Sequence, residues 1–165
     1  MKNSKATFKV EAQLSDDGKH RYSYMKKWDT KKPMATVITI YPGSDDVLKE
    51  DLTTMLITNQ LITDYGGFYL VNLFSKLGLN KMKLGNEKEL NDSFSDDVIQ
   101  AFAEATSDVI LAWGSVTQLK VGAKRAEEVE KLVAETGNVR MLTDSLGKTC
   151  YHPLSPKVRK KWYLK

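Results

Sequence analysis

The sequence contains a single cysteine, Cys150, among its 165 residues, and it has no long apolar segment. A lone cysteine cannot form an internal disulfide, which favours a reducing compartment. The longest apolar stretches, such as residues 68–74 and 109–113, are far shorter than the roughly 20 residues that cross a bilayer. No apolar segment follows the polar residues 1–5, so no secretory signal is expected. We therefore expect a cytoplasmic protein without membrane contacts.

Several motifs that would identify an enzyme or a cofactor site are also missing. The sequence has no Walker loop, no Cys/His metal cluster and no nucleophile elbow. We therefore expect neither a metal nor a cofactor. Hydrophobic residues make up 41% and charged residues 28%, which is the balance of a globular protein rather than a disordered one. Since no repeat or linker divides the chain, the length predicts one domain, residues 1–165.

The net charge of +4 is distributed unevenly. Residues 1–33 and residues 148–165 are rich in lysine and arginine, whereas the intervening residues 34–147 are acidic overall. If the two basic ends meet in space, they would form a face that attracts phosphate. The alternative is that terminal lysines only keep a small protein in solution.

The C-terminal segment mixes cations with aromatic residues. Such a composition suits contacts with nucleic-acid backbones, so DNA is a candidate partner, and a frayed basic terminus is the alternative. The cations concerned are Lys157, Arg159, Lys160 and Lys161.

The hydrophobic pattern predicts an antiparallel hairpin followed by alternating strands and helices. The hairpin comprises strands over residues 6–14 and 20–28, at a sheet edge, joined by a turn at 15–18. Further strands are predicted at 35–40, 68–74, 108–113 and 139–142, and helices at 49–65, 95–106 and 116–136. Alternation of this kind is typical of a parallel sheet covered by helices on both faces.

The predicted fold is therefore α/β: a three-layer αβα sandwich with a mostly parallel central sheet and an N-terminal antiparallel hairpin. Residues 1–33 form the hairpin, residues 34–147 the α/β core, and residues 148–165 a basic C-terminal segment. The predicted inner face of the first helix consists of Leu52, Met55, Leu56, Asn59 and Ile62.

Ligands of such sheets bind beyond the carboxyl ends of the strands, where the loops converge. This rule selects the segments 41–44, 72–74, 113–115 and 151–154. The candidate ligand-binding residues in them are Tyr41, Pro42, Gly43, Ser44, Asn72, Phe74, Trp113 and His152.

The residue types at this edge suit a nucleobase or a nucleotide. The amide of Asn72 offers an acceptor and two donors, enough to read a base edge. Aromatic rings offer stacking surfaces worth about 1–3 kcal/mol per base. Gly43 lets the backbone approach a ligand closely, and His152 offers a hydrogen bond to a phosphate or an oxyanion.

Each candidate also has a purely structural interpretation. Asn72 would satisfy loop amides at a strand end, and Phe74 and Trp113 would belong to the core. Asp45 and Asp46 fit the start of the following helix. Of these residues we favour a ligand role for Asn72, because it lies among the converging loops.

Short motifs recur in an order that resembles domain-of-unknown-function family 1643. The resemblance covers about residues 20–155, nearly the whole chain, and it implies no particular activity. Arg21 and Tyr22 match it but lie on a predicted edge strand, where they would brace the pocket, and the nearby His20 is predicted to be solvated. The motifs are Arg21-Tyr22-Ser23-Tyr24 with Trp28, Tyr41-Pro42-Gly43-Ser44-Asp45-Asp46, Val71-Asn72-Leu73-Phe74, Asn91-Asp92, Ala112-Trp113-Gly114 and His152-Pro153-Leu154.

A second resemblance is to the uracil-DNA glycosylase superfamily, and it implies an αβα fold with a base-binding pocket. The residues that carry it are Thr39-Ile40-Tyr41-Pro42-Gly43, Asn72, the apolar strand ending in Trp113-Gly114, and His152-Pro153-Leu154-Ser155-Pro156. In the mismatch-specific branch an Asn of the first loop positions the attacking water. Tyr41 stands at that position here, and a phenol is a poor general base at neutral pH.

The leading hypothesis is a nucleobase- or nucleotide-binding protein with a glycosylase-like pocket. We favour binding without catalysis. This role would suit a virus-encoded protein that sequesters a signal nucleotide of the host. The alternative is an enzyme, either a DNA base N-glycosylase or a related nucleotide hydrolase, for which His152 and Asp46 are the candidate catalytic residues. A third possibility is a protein interaction domain with a vestigial pocket.

Overall fold

The computed structural model describes residues 1–165 and arranges seven strands in one sheet with three α-helices. The strands are β1 (Lys9–Leu14), β2 (Arg21–Lys27), β3 (Met34–Thr39), β4 (Gly67–Asn72), β5 (Asp108–Leu111), β6 (Asn138–Thr143) and β7 (Tyr163–Leu164). The helices are α1 (Leu52–Leu61), α2 (Ser95–Glu104) and α3 (Lys120–Val133), with 3₁₀ turns at Lys83–Gly85 and Gly114–Gln118. Each predicted strand and helix is present, with ends that differ by a few residues.

The strand order is β1-β2-β4-β3-β5-β6-β7, and the sheet is mixed. The four central strands, β4, β3, β5 and β6, are mutually parallel. The outer pairings, β1 with β2, β2 with β4, and β6 with β7, are antiparallel. The prediction of an α/β fold with parallel central strands and an antiparallel N-terminal hairpin is confirmed, and three of the six pairings of the whole sheet are antiparallel. The hairpin joins it through β2, and the unpredicted β7 adds a further antiparallel pairing.

Apolar residues on both faces of β3 explain why it lies at the centre. Ile38 faces a core cluster that also contains Ile99 of α2 and Val129 of α3. Val37 faces a second cluster with Ile57 of α1. Because successive side chains of a strand point to opposite faces, the helices form two separate layers around the sheet.

The orientation of α1 differs from the prediction. Met55 and Ile62 of the predicted inner face are 43% and 44% exposed, whereas Ile57 is fully buried. Thr58 turns inward with its hydroxyl donating to the carbonyl of Thr54, 2.9 Å away, so its polar group is satisfied within the helix. Apolar residues lie on both sides of this helix, so hydropathy alone did not distinguish the inner face.

The helix predicted over residues 116–136 is interrupted. Leu119 has an extended backbone (φ −91°, ψ 135°) that separates the 3₁₀ turn from α3. Gly122 of α3 packs against the carbonyl of Val116, at a spacing that no Cβ would permit. The turn therefore folds back onto the helix instead of continuing it.

The hairpin lies at the edge of the sheet as predicted, but two finer expectations for it are wrong. Arg21 and Tyr22 do not lie on an edge strand, because β2 pairs with both β1 and β4. His20 is only 8% exposed and lies 2.8 Å from the hydroxyl of Ser75 through its Nδ1 atom, so it is not solvated. The isolated bridge between His20 and Lys76 fixes the hairpin to the loop after β4.

The C-terminal segment is docked rather than frayed. Val158 is fully buried in the cluster that contains Ile57, and the side chain of Gln60 donates to the carbonyls of Arg159 and Lys160. β1 and β7 form opposite edges of the sheet, so these strands do not bring the two basic ends together on one face. None of the helices has the length and apolar character that a membrane span requires.

Candidate functional site

A cavity of about 340 Å³ lies at the carboxyl ends of β3 and β4, within the range of small-molecule sites. Segments far apart in the chain supply its wall: the start of β2, the loop after β3, the start of α1 and the loop after β6. The lining residues are Arg21, Thr39, Ile40, Tyr41, Gly43, Asp51, Thr53, Leu70, His152 and Leu154.

His152 is held as a neutral imidazole. The backbone N–H of Leu154 donates to its Nδ1 atom over 3.2 Å, which leaves the ring hydrogen on Nε2. Burial lowers the pKa of His152 to about 4, although the carboxylate of Asp51 acts in the opposite direction. At neutral pH this side chain therefore offers a hydrogen-bond donor and no charge.

The loop that carries His152 is positioned by Gly114, just after β5. Gly114 has a φ of +61°, and a Cβ on it would lie 2.8 Å from the backbone nitrogen of His152. Only glycine permits both this conformation and this approach. The end of β5 therefore touches the His152 loop directly.

Arg21 lies in the wall of the cavity and is only 4% exposed. Its two terminal nitrogens donate to the carbonyl of Ser44 (2.7 Å) and to Oδ1 of Asn72 (3.3 Å), while its buried Nε has no partner. Burial lowers the pKa of Arg21, with Asp51 acting in the opposite direction. A guanidinium nevertheless stays protonated at any physiological pH.

Asn72 acts beneath the cavity rather than in its wall. Its Nδ2 donates to the hydroxyl of Thr39 over 2.7 Å, while its Oδ1 accepts from Arg21. Thr39 and Asn72 are register partners on β3 and β4, which explains their contact. The Thr39 hydroxyl accepts from the amide and keeps its own hydrogen available to the cavity. In this arrangement Asn72 positions two of the lining residues.

Asp51 is a lining residue that the sequence reasoning missed. Its Oδ1 accepts from the backbone N–H of Thr54 over 2.7 Å, as the N-cap of α1. Its Oδ2 lies against the Cα of Gly43, close enough that a Cβ there would collide. Its sequence signal is an acidic residue directly before a helical pattern, a signal that Asp45 and Asp46 share.

The remaining predicted residues lie outside this wall. Phe74 and Trp113 are each 2% exposed and belong to the main core, and Pro42 is also buried. The backbone carbonyl of Ser44 accepts a hydrogen bond from Arg21, so Ser44 helps to hold that lining side chain in place. Asp46 instead accepts from the backbone N–H of Leu48 and does not cap α1, contrary to the structural alternative.

A second cavity, of about 600 Å³, adjoins the first. His152 and Leu154 line both cavities and form the wall between them. The second cavity has no charged lining residue but several hydroxyl and amide side chains, including Ser115, Thr117 and Gln118. A ligand that passes this wall would meet neutral hydrogen-bonding groups.

A larger groove, of about 740 Å³, lies at the hairpin turn and has a different character. Its lining carries four carboxylates and no lysine or arginine, and none of the predicted ligand residues reaches it. The carboxylates belong to Asp16, Asp17, Glu89 and Asp92. Such a surface would repel phosphate, so the smaller cavity is the candidate site.

Among the cations of the C-terminal segment, only Arg159 contacts a lining residue of the candidate site. The Nε of Arg159 donates to the carbonyl of Leu154 over 2.8 Å, which ties this segment to the cavity wall. Lys161 lies over the ring of Tyr163, with 5.0 Å between its Nζ and the ring centroid. Lys157 and Lys160 are exposed.

Comparison with known proteins gave one match. A family model described as "Protein of unknown function (DUF1643)" matches residues 21–154 of the 165. The search of the curated proteins found no match. The search of the solved structures found none either.

Proposed function

Because the chain belongs to the DUF1643 family, whose description gives no activity, we propose its function from the cavity: it binds a nucleobase or a nucleotide there. The observation that carries the proposal is the convergence of Arg21, Tyr41, Asp51 and His152 on one small cavity from separate parts of the chain. These side chains combine an aromatic face with hydrogen-bond donors and an acceptor, which is the chemistry that recognises a flat heterocycle.

In this proposal the heterocycle lies against the ring of Tyr41, and Leu154 is a further apolar lining residue. The Nε2–H of His152 and the hydroxyl of Thr39 donate to ring acceptors, and Asp51 accepts from an amino or ring N–H group. Both donors are fixed by other contacts, since Leu154 holds the imidazole and Asn72 holds the hydroxyl. Groups fixed before the ligand arrives lose little entropy on binding.

The arrangement also supports a fold similar to that of the uracil-DNA glycosylase superfamily, which we propose as the structural setting. Tyr41 and His152 come from the two loops that resemble that superfamily, and both line the cavity. Non-catalytic sequestration of a nucleotide is the activity that we favour, in keeping with the phenol of Tyr41 in the first loop. A virus-encoded protein that removes a host signal nucleotide is the biological role that we propose.

A thermal-shift screen of bases, nucleosides and mono-, di- and cyclic nucleotides tests the proposal. We expect at least one of these compounds to raise the melting temperature, and titration calorimetry should give its affinity. Tyr41→Ala should weaken binding by about 1–3 kcal/mol, the usual worth of one base stacked on an aromatic ring. Tyr163→Ala, which removes an aromatic ring outside the cavity, is the matched control. If none of these compounds stabilises the protein, the proposal is wrong.

A second candidate function, hydrolysis of an N-glycosidic or related bond, is favoured by Asp51. Its carboxylate lines the cavity, as a general base that activates water would need to. Incubation with uracil-containing or modified oligonucleotides, followed by chromatography for free base, tests this function. Asp51→Asn should remove any such activity while leaving binding measurable. Intact substrate after prolonged incubation would leave binding alone as the function.

A further inference from the structure

Arg21 differs from the other buried arginine of the protein in having no anionic partner. Arg125, 7% exposed, pairs with the carboxylates of Asp96 and Glu128 and donates to a backbone carbonyl. Arg21, 4% exposed, takes part in no ion pair, and both of its acceptors are neutral. A buried charge is normally paired, because leaving it unpaired is costly.

The guanidinium of Arg21 also has donors to spare. The guanidinium carries five N–H groups, and it makes only two hydrogen bonds within the protein. Its Nε is buried without a partner, and the side chain lines the candidate cavity. The ring of Tyr24, 5.7 Å from the guanidinium carbon, and the amide of Asn72 hold it in place. The cation is therefore fixed in the wall of the cavity without an ion pair, and the carboxylates of Asp51 and Asp45 act on it only at longer range.

We propose that Arg21 binds an anionic oxygen group of the ligand, so that the ligand is a phosphate-bearing nucleotide rather than a free base or a nucleoside. This inference rests on the proposed function of the cavity and narrows its ligand class. Arginine is well suited to the task, because its planar fork of donors matches the oxygens of a phosphate.

The carboxylate of Asp51 does not occupy the position of this anion. It lies farther from Arg21 than the 4.0 Å of an ion pair, and its Oδ1 is engaged by the N-terminus of α1. The positive end of the helix also offsets part of its charge. Asp51 therefore remains an acceptor for the base, while Arg21 receives the phosphate.

Calorimetric titration of the wild-type protein with ribonucleosides, their 5′-monophosphates and inorganic phosphate tests the inference. We expect the best monophosphate to bind at least about tenfold more tightly than its nucleoside, which is the effect of one charge-assisted hydrogen bond. Inorganic phosphate should bind weakly and compete with the monophosphate. Equal affinities for nucleoside and monophosphate would overturn the inference while the proposed function stands.

Two variants distinguish the loss of the free Arg21 charge from a loss of the folded structure. Arg21→Gln should remove the preference for the monophosphate, and Arg125→Gln is the matched control that removes a buried arginine elsewhere. Asn72→Asp keeps Arg21 and supplies a carboxylate beside it, which should displace the ligand phosphate and lower monophosphate affinity at least about tenfold. Its melting temperature without ligand shows whether it folds.

The outcomes of the two experiments are distinct. Loss of the preference in both variants, with Arg125→Gln unchanged, supports the inference. A preference that persists in Asn72→Asp overturns it. Binding of inorganic phosphate without binding of any nucleoside or nucleotide would support an anion site at Arg21 and overturn the nucleotide function. An absence of all binding would overturn both.

Discussion

His152 illustrates how a single environment decides the chemistry of a residue. An exposed imidazole would change its charge near neutral pH, but this one is kept neutral by burial, with its pKa lowered to about 4. A neutral imidazole with its hydrogen on Nε2 donates one hydrogen bond in a fixed direction. The proposed ligand contact should therefore change little with pH from about 5.5 to 8.

The same pKa shift predicts a pH dependence of stability. In the unfolded chain a histidine has a pKa of about 6.5, so below that pH the unfolded state binds a proton that native His152 does not. The contribution of neutral His152 to the unfolding free energy is therefore fully present above about pH 6.5, and it is lost as the pH falls toward 4. Urea unfolding at pH 7.5 and pH 4.5 should show a decrease that is smaller in His152→Gln, by on the order of 2 kcal/mol. An equal decrease in the unfolding free energy of the wild-type protein and of His152→Gln would contradict the lowered pKa of His152.

At the scale of residues, the sequence predicted part of the site. The strand-end rule correctly indicated Tyr41, Gly43 and His152 as neighbours in space. It did not predict Asp51 or the place of Arg21 in the cavity wall. Asp51 has a local signal, an acidic residue directly before a helical pattern, and the start of α1 shows that it is the N-cap. The place of Arg21 depends on the entry of β2 into the sheet beside β4, a tertiary pairing on which local patterns carry no information.

Among the elements, α1 shows most clearly what hydropathy cannot decide. Its inner side combines Ile57 with threonines, and its outer side carries Met55, so both sides are partly apolar. We expect Ile57→Ala to lower the unfolding free energy by about 2–5 kcal/mol, because it leaves a cavity in the core. Met55→Ala should change it by less than about 1 kcal/mol. Denaturant unfolding of both variants checks this, and similar losses would restore the predicted inner face.

The contact between β5 and the His152 loop leads to a second element-scale prediction. Gly114→Ala places a methyl group 2.8 Å from the backbone nitrogen of His152, so the loop must shift away from the cavity. Gly78→Ala is the matched control, since Gly78 has a φ of +73° but nothing within 4 Å of the added Cβ. Both variants should lose about 1–3 kcal/mol of stability from backbone strain.

Only Gly114→Ala should also weaken the binding of the ligand identified in the thermal-shift screen. Calorimetry of the two variants measures the difference at temperatures where both remain folded. If Gly114→Ala binds as tightly as Gly78→Ala, the His152 loop does not form part of the site. The comparison separates strain, which both variants share, from displacement of the loop.

The sequence of elements was easier to predict than their boundaries or their partners. Alternation of apolar strands and amphipathic helices indicated the α/β layers, because burial on both faces leaves a pattern in the chain itself. β7 could not be predicted, because a strand of two residues shows no hydrophobic periodicity. The break at Leu119 escaped it as well, because it depends on the packing of Gly122 against Val116.

At the scale of the whole molecule, the strand order determines how far apart the basic residues of the two chain ends lie. Six strand spacings separate β1 from β7, or roughly 30 Å across the sheet. That distance exceeds the screening length of about 8 Å at physiological salt. The basic residues next to these strands therefore act as two separate surfaces, and the sequence could not show this because strand order is a tertiary property.

The separation yields a prediction for nucleic-acid binding by the C-terminal surface. Replacing Lys157, Lys160 and Lys161 by Gln should weaken binding of single-stranded DNA. The slope of log affinity against log salt should fall by about 2, since each lost phosphate contact contributes about 0.7. Replacing Lys2, Lys5 and Lys31 by Gln makes the same change in net charge in the N-terminal part of the chain and should alter the slope much less.

Fluorescence anisotropy of a labelled oligonucleotide at several salt concentrations measures both slopes. Nucleotide-induced stabilisation should be the same in both triple variants, because none of the six lysines lines the cavity. Val158, which anchors the C-terminal segment, is unchanged in both, so loss of docking would not explain a difference. Equal slopes would mean that DNA responds only to total charge. A local contact requires the C-terminal triple variant alone to lose salt dependence, because counterions are released only where cations meet phosphates.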